Sequence, residues 1–222
     1  MSFILTFLNI IELLLFIYLA FAAAYVFTFA LAAKFRTQRA FPESKVKKRF
    51  AVLIPGYKED SVIIDVAQKA LEQNYPDDKY EVIIIADSFQ KKTLEALGNL
   101  PLNLLEVSFQ KSTKAKALNK AMAKIGDNYD IALILDADNI MEKDFLQKIN
   151  NAFSHDFVAI QGHRTAKNTN TSLAILDAIS EEVNNSIFRK GHRKLGVSSA
   201  LIGSGMAFNY SLYKNYMATI DS

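Results

Sequence analysis

From Leu13 to Ala33 the chain runs for 21 residues without a formal charge, LLLFIYLAFAAAYVFTFALAA. At about 1.5 Å of rise per residue this stretch makes a helix of roughly 31 Å, the thickness of a bilayer's hydrocarbon core. A signal peptide would need a basic leading segment, a shorter apolar core and a small-residue cleavage site. No Lys or Arg precedes Lys34, so the expectation is a transmembrane helix within residues 1–33. Residues 34–49 carry Lys34, Arg36, Arg39, Lys45, Lys47, Lys48 and Arg49 against a lone Glu43. The positive-inside rule then puts the N-terminus outside and everything after the helix in the cytoplasm, at an inner or plasma membrane. The basic linker serves topology and contact with lipid headgroups. Glu12 falls near the outer end, where it reaches water or pairs with another helix.

The rest is of a different kind. Residues 1–33 hold one charge, Glu12, and residues 34–222 hold 26 basic and 22 acidic side chains, an ordinary soluble composition. A net charge of +3 over the chain is too weak to suggest nucleic acid as the main partner, and none is expected. With no cysteine there is no disulfide scaffold, no thiolate-held zinc or iron–sulfur site and no cysteine nucleophile. His155, His163 and His192 are scattered without ligand spacing.

Residues 50–222 read as one domain of alternating strands and helices. Buried strands are predicted at 50–55, 80–86, 104–107, 130–135 and 157–162. Helices are predicted at 61–74, capped by Asp60 or Ser61, and at 93–97, 113–125, 143–153 and 171–189. In the last of these Leu173, Leu176, Ile179, Val183 and Ile187 recur at helical spacing, a stripe expected to be core. SSALIGSGMAF, 198–208, reads as a further strand-like segment. The pattern gives an α/β domain with a mostly parallel sheet and helices on both faces, and ligands bind such sheets beyond the carboxyl ends of the strands.

Those ends are acidic. Pro55, Gly56, Tyr57, Lys58, Glu59 and Asp60 follow the first strand, Asp87 and Ser88 the second, and Asp136, Ala137, Asp138 and Asn139 the fourth. Acidic residues there also cap helices, but three clusters in one crevice repel one another unless a cation or a ligand's donors compensate. Asp136-x-Asp138 is a pair in which one carboxylate grips a sugar hydroxyl and the other binds Mg²⁺ or Mn²⁺, whose shell phosphates and water complete. No glycine-rich phosphate loop is present. A nucleotide's phosphates would therefore fall to metal and lysine, with Lys114 and Lys116 as candidates. A solvated helix face explains those lysines equally well.

VLIPGYKED, IIIADS, TKAKALN, LDADN and IGSGMAF resemble, in order and spacing, the family 2 glycosyltransferases of GT-A fold, whose membrane-attached members are related to cellulose, chitin and hyaluronan synthases. The resemblance covers roughly residues 50–210. It implies a nucleotide-binding turn with Pro55, Tyr57 and Glu59 around base and ribose, Asp87 at the base, and Lys114 near the uracil and diphosphate. It makes Asp136 and Asp138 the DXD pair, with Asp138 as metal ligand. Gly203, Ser204 and Gly205 fall where the family has a small-residue segment lining the sugar and acceptor site, although a plain tight turn accounts for them too. Gln161, His163 and Arg164 follow the fifth strand and suit either the donor sugar or a surface loop.

The implied activity is inverting, metal-dependent transfer from a nucleotide-diphosphate sugar, most simply a UDP-sugar, to a carbohydrate or lipid-linked acceptor, building a polysaccharide or glycoconjugate. Such transfer needs a general base, in the family an aspartate of a Glu-Asp pair after the small-residue segment. After Gly205 the only carboxylate is Asp221, without a preceding Glu, and the chain has no tryptophan for the Gln-x-x-Arg-Trp motif of processive members. The donor half is expected here and the acceptor half beyond Ser222. A membrane-tethered nucleotide-sugar-binding module without transfer is the alternative. A haloacid-dehalogenase-type phosphatase also uses Asp-x-Asp, but there the pair follows the first strand and here it follows the fourth.

Overall fold

The computed structural model describes residues 2–35, 41–166 and 168–220. Arg36, Arg39 and Asp221 lie outside the described residues. The chain divides into two compact units, one of residues 1–39 with 164–200 and one of residues 40–163 with 201–222.

The first unit is built on α1 (Ser2–Lys34). The helix begins well before the uncharged run and takes Glu12 into its body. Its 33 residues span about 50 Å, more than a hydrocarbon core requires. With a mean hydropathy of 2.4 over its apolar window, α1 is long and apolar enough to cross a membrane. Near its C-terminal end Ala32 and Ala33 are buried.

The same unit holds α6 (Ser172–Asn184), a π-helical stretch Asn185–Gly191, and the single turn α7 (His192–Lys194). Thr171 caps α6, its hydroxyl accepting from the Ala174 N–H at 3.1 Å. The π-helical register brings Gly191 against α1, so closely that a Cβ there would stand 2.3 Å from the Phe29 carbonyl oxygen. The His192 ring lies 4.1 Å from that of Phe29, and its Nε2 is 2.9 Å from Tyr25 Oη.

Of the stripe expected to be core, Ile187 is half-buried in the π-helical stretch and the four residues on α6 are not core. Leu173 is 75% exposed, Leu176 61%, Ile179 55% and Val183 47%. The covered edge of the helix is the opposite one, where Ala174 and Ala178 are half-buried and Asn185 is buried. Periodicity records that one face is apolar; it does not record what covers that face.

The second unit is a six-stranded sheet in the order β3-β2-β1-β4-β6-β5. Its strands are β1 (Phe50–Tyr57), β2 (Tyr80–Asp87), β3 (Asn103–Val107), β4 (Ile131–Ile134), β5 (Ala159–Gln161) and β6 (Met206–Asn209). β1 runs parallel to β2 and β4, and β2 parallel to β3, while β6 is antiparallel to β4 and β5. The helices are α2 (Ile63–Leu71), α3 (Lys91–Gly98), α4 (Lys114–Lys124), α5 (Phe145–Ala152) and α8 (Tyr210–Thr219). Alternate residues of the central strands feed two apolar clusters. Val52, Ile54, Ile84 and Leu133 pack with α2 and α5 residues, and Leu53, Ile83, Ile85 and Ile134 with those of α4 and α8.

Among the differences from the sequence reading are one strand and one helix cap. The strand expected over 198–208 is confined to Met206–Asn209, because Gly203 (φ +89°) and Gly205 (φ +66°) adopt left-handed backbone that no strand continues through. Asp60 does not cap α2, whose N-cap is Val62 without a side-chain bond; it accepts instead from the Gln90 N–H ahead of α3 at 2.9 Å.

The basic segment ahead of β1 is strapped to α5. Ser44 N–H donates to Asn151 Oδ1 (3.1 Å), Lys48 N–H to Asn150 Oδ1 (3.0 Å), and Asn150 Nδ2 to the Val46 carbonyl (3.0 Å). Asn150 is fully buried while serving both backbone groups. Asn150→Ala should cost about 1–3 kcal/mol by leaving them without their partner. The check is the denaturation midpoint of the detergent-solubilised chain, and an unchanged midpoint would show that the strap carries no stability.

Candidate functional site

Parallel pairing puts the carboxyl ends of β1, β2 and β4 at one edge of the sheet, and the strand order reverses between β1 and β4. Tyr57 and Asp87 are register partners at the ends of β1 and β2. Tyr57 is 50% exposed, with Lys58 Nζ 5.1 Å from its ring centre. Asp87 is buried and accepts from the Ser88 hydroxyl at 2.9 Å. Lys58 (φ 55°) and Ser88 (φ 59°) both take left-handed backbone, and the Lys58 N–H donates to the Asp87 carbonyl at 3.1 Å. The two strands are thus tied together one residue beyond their last register pair. Pro55 is half-buried within β1, and Glu59 is exposed, its carbonyl accepting from Val62 and Ile63. The Thr93 hydroxyl, and after it the Gln90 N–H, hold the Asp60 carboxyl below the usual carboxylate range.

Across the switch point the groups are bonded directly. Lys114, in the first turn of α4, donates from Nζ to Asp136 Oδ1 and, at 2.5 Å, to the Gly203 carbonyl. Asp136 N–H and Asn139 Nδ2 both donate to the Ser204 hydroxyl, at 2.9 and 2.7 Å. Gly205 N–H donates to Ile134 O at 2.8 Å, and Gly162 N–H to Gly205 O at 2.8 Å. Gln161 braces the other side of the turn, its Nε2 donating to the Ser204 carbonyl (2.9 Å) and its Oε1 accepting from the Ile202 N–H (3.0 Å). Lys114, Asp136, Gly203 and Ser204 therefore form one connected network, and the hydroxyl of Ser204 is buried within it. Asp138 is exposed beside it.

Lys116 does not join this network. Two residues along a helix is about 200° of rotation, and Lys116 lines a shallow depression with Phe109, Asn119 and Lys120. The bracing by Asn139 and Gln161 escaped the sequence reading. Nothing in a lone amide's identity tells which loop it will reach, although Gln161 ends β5 and Asn139 lies five residues beyond β4. The Arg164 carbonyl accepts from Asn185 Nδ2 at 2.9 Å in the first unit.

The carboxylates suit a hard divalent cation that takes most of its ligands from phosphate and water. Among the described residues no three His, Asp or Glu side chains gather into a protein-made cage. Asp136 is already engaged by Lys114, which leaves Asp138 as the carboxylate open to such an ion.

The family model described as Glycosyltransferase like family 2 matches residues 48–221. The chain belongs to this family. A curated relative, the poly-beta-1,6-N-acetyl-D-glucosamine synthase of Staphylococcus aureus (strain COL), is 30% identical over 132 residues, which are 57% of this chain and 31% of the relative. The match thus spans less than a third of that protein's length. Among solved structures, the mannosyltransferase PcManGT from Pyrobaculum calidifontis in complex with GDP-Man and Mn²⁺ superposes with a TM-score of 0.67 at 22% identity, over 89% of this chain and 56% of that one. Residues 1–349 of S. aureus TarS in complex with UDP-GlcNAc give a TM-score of 0.51 at 17% identity, over 76% of this chain and 47% of that one. These likenesses are of fold, the GT-A fold.

Within this family 2 domain, Ser204→Ala deletes the acceptor shared by Asp136 N–H and Asn139 Nδ2. The expected loss is about 1–3 kcal/mol of stability, read as a lower thermal midpoint, and Ser204→Thr should not restore it because the hydroxyl site is fully enclosed. A midpoint equal to wild type for Ser204→Ala would mean that the turn is held by the glycine backbone alone.

Proposed function

We propose that this chain is the donor-binding part of an inverting, metal-dependent glycosyltransferase that uses a nucleotide-diphosphate sugar, most simply a UDP-sugar, to extend a carbohydrate or lipid-linked acceptor. The observation that carries the reading is the bonded set of Lys114, Asp136, Gly203 and Ser204 at the β1/β4 switch point, with Asp138 open beside it. The names of its relatives point the same way: one synthesises a polymer of N-acetylglucosamine, and TarS and PcManGT are held with UDP-GlcNAc and with GDP-Man and Mn²⁺. UDP-GlcNAc is accordingly the first donor to test.

In this reading Pro55, Tyr57 and Glu59 form the wall against base and ribose, with the exposed Tyr57 ring offering a stacking face. Asp87, held by Ser88, accepts from the base. Asp136 faces the ribose and diphosphate side, and Lys114 contributes positive charge to the diphosphate. Asp138 would hold Mg²⁺ or Mn²⁺, which stabilises the charge that develops on the leaving diphosphate. Gly203 and Gly205 keep side chains away from the sugar, while Ser204 fixes the turn that carries them. Proton removal from the acceptor is assigned to a carboxylate outside residues 1–222. α1 anchors the chain in an inner or plasma membrane, with the N-terminus outside and the family 2 domain in the cytoplasm.

The nucleotide and the metal are tested together by calorimetric titration of UDP and GDP, each with and without Mn²⁺. Wild type should bind UDP in the presence of Mn²⁺. Asp138→Asn should weaken that binding tenfold or more, about 1.4 kcal/mol, with no change in thermal midpoint. Equal affinity in the two proteins would remove Asp138 from the metal site, and preference for GDP would replace uridine with guanosine.

A further inference from the structure

The outward stripe of α6 is the largest feature that the donor site leaves unused. Leu173, Leu176, Ile179 and Val183 lie on one face and are each about half exposed or more, yet the helix turns alanines and an asparagine to its covered edge. A helix whose apolar face is the uncovered one needs an apolar partner from outside its own unit.

What that partner is follows from where α6 leads. Through the π-helical stretch it arrives at Gly191 and His192, which pack on Tyr25 and Phe29 of α1. Those two residues stand roughly 13 and 8 Å along the helix from Lys34, the first charge after the uncharged run. The headgroup zone is about 5–8 Å deep on each side of the hydrocarbon. The joint therefore sits where α1 leaves the acyl region. At the same place Lys190, Arg193 and Lys194 are exposed, as is Lys34. Cations at that depth complement anionic headgroups. The apolar surfaces of α1 and α6 belong to one packed unit, joined at a glycine that admits no side chain.

We propose that α6 is a membrane-interface helix, lying in the headgroup–acyl boundary with Leu173, Leu176, Ile179 and Val183 in lipid and the basic turn after it on anionic headgroups. This rests on the reading of α1 as membrane-spanning. Together the two helices give the chain a second, in-plane lipid contact, which fixes its rotation about α1 as well as its attachment. Interfacial helices of this kind bury their apolar face about 5–10 Å below the headgroups. Asp177 and Glu182 flank the stripe rather than interrupt it, as an in-plane helix requires.

The chain has no cysteine, so one introduced thiol reports on one site. Leu15→Cys, Leu176→Cys, Ile179→Cys and Glu182→Cys are each made in the full chain and spin-labelled. The proteins are reconstituted in vesicles of phosphatidylcholine and phosphatidylglycerol, and collision with oxygen is compared with collision with a water-soluble nickel chelate. The label at 15 should be oxygen-accessible and nickel-protected. The oxygen-to-nickel ratio at 176 and 179 should lie several-fold above that at 182. A ratio at 176 and 179 equal to that at 182, with 15 in lipid, overturns the proposal and leaves α1 in the membrane. Protection from both reagents at 176 and 179 means that protein covers the stripe and also overturns it. A water-like label at 15 overturns the membrane reading itself, and this proposal with it.

Discussion

β1 has no free edge. It pairs along its whole length with β2 and over its first four residues with β4, and Phe50 to Ile54 are sealed from solvent. Both faces and both edges being occupied, the strand admits only side chains that pack, which is why it reads as an unbroken apolar run. Its two parallel neighbours go different ways in the chain, one towards β3 and one towards β6. The helices that connect them must diverge above this strand, and the crevice between them is a consequence of the strand order. Tyr57 and Asp87 are register partners for that reason, with Asp136 following the strand on the other side of β1.

The turn at Gly203–Gly205 shows how the crevice is kept in shape. Two left-handed glycines take the chain out of extended conformation just before β6, and the turn is held by Asp136 and Asn139 from beyond β4, Gln161 from β5 and Lys114 from α4. Groups from three elements meet on three residues. Lys114 is shared between a carboxylate and a backbone carbonyl, so its charge is already used within the protein. Under the proposed reading a diphosphate would compete with Asp136 for that ammonium, and the displaced carboxylate would be left without its partner.

Much of this was legible beforehand. The apolar runs at 50–55, 80–86 and 130–135 read as buried strands because they are short, nearly continuous, and alternate with amphipathic helical stretches. The acidic ends were visible as residues, and the strand pattern placed them at one edge. What could not be read were the facts that depend on rotation and reach. Lys114 and Lys116 look equivalent as letters, yet a helix sends them to different sides. Gln161 and Asn139 are amides whose partners lie far along the chain. α8 is not marked by the sequence because its apolar and polar residues are mixed without a clean stripe, and only Tyr210 and Met217 are buried.

The stripe on α6 is the instructive error. Apolar residues at helical spacing are usually core, because a soluble chain has nothing else to offer them. This chain also carries α1, long and apolar enough to cross a membrane, and on the proposal that it does so apolar surface has two destinations, the interior of a domain and the interior of a bilayer. α4 and α6 differ in what each does with its small residues. α4 turns Ala117, Leu118, Ala121 and Met122 into the sheet and exposes Lys114, Lys120 and Lys124. α6 covers its alanines and exposes its leucines. An alanine edge permits close approach to a neighbour without supplying much apolar area, about what is needed to seat a helix whose larger burial lies elsewhere. The residue type on the covered edge therefore distinguishes α6 from α4, which the periodicity of their apolar positions does not.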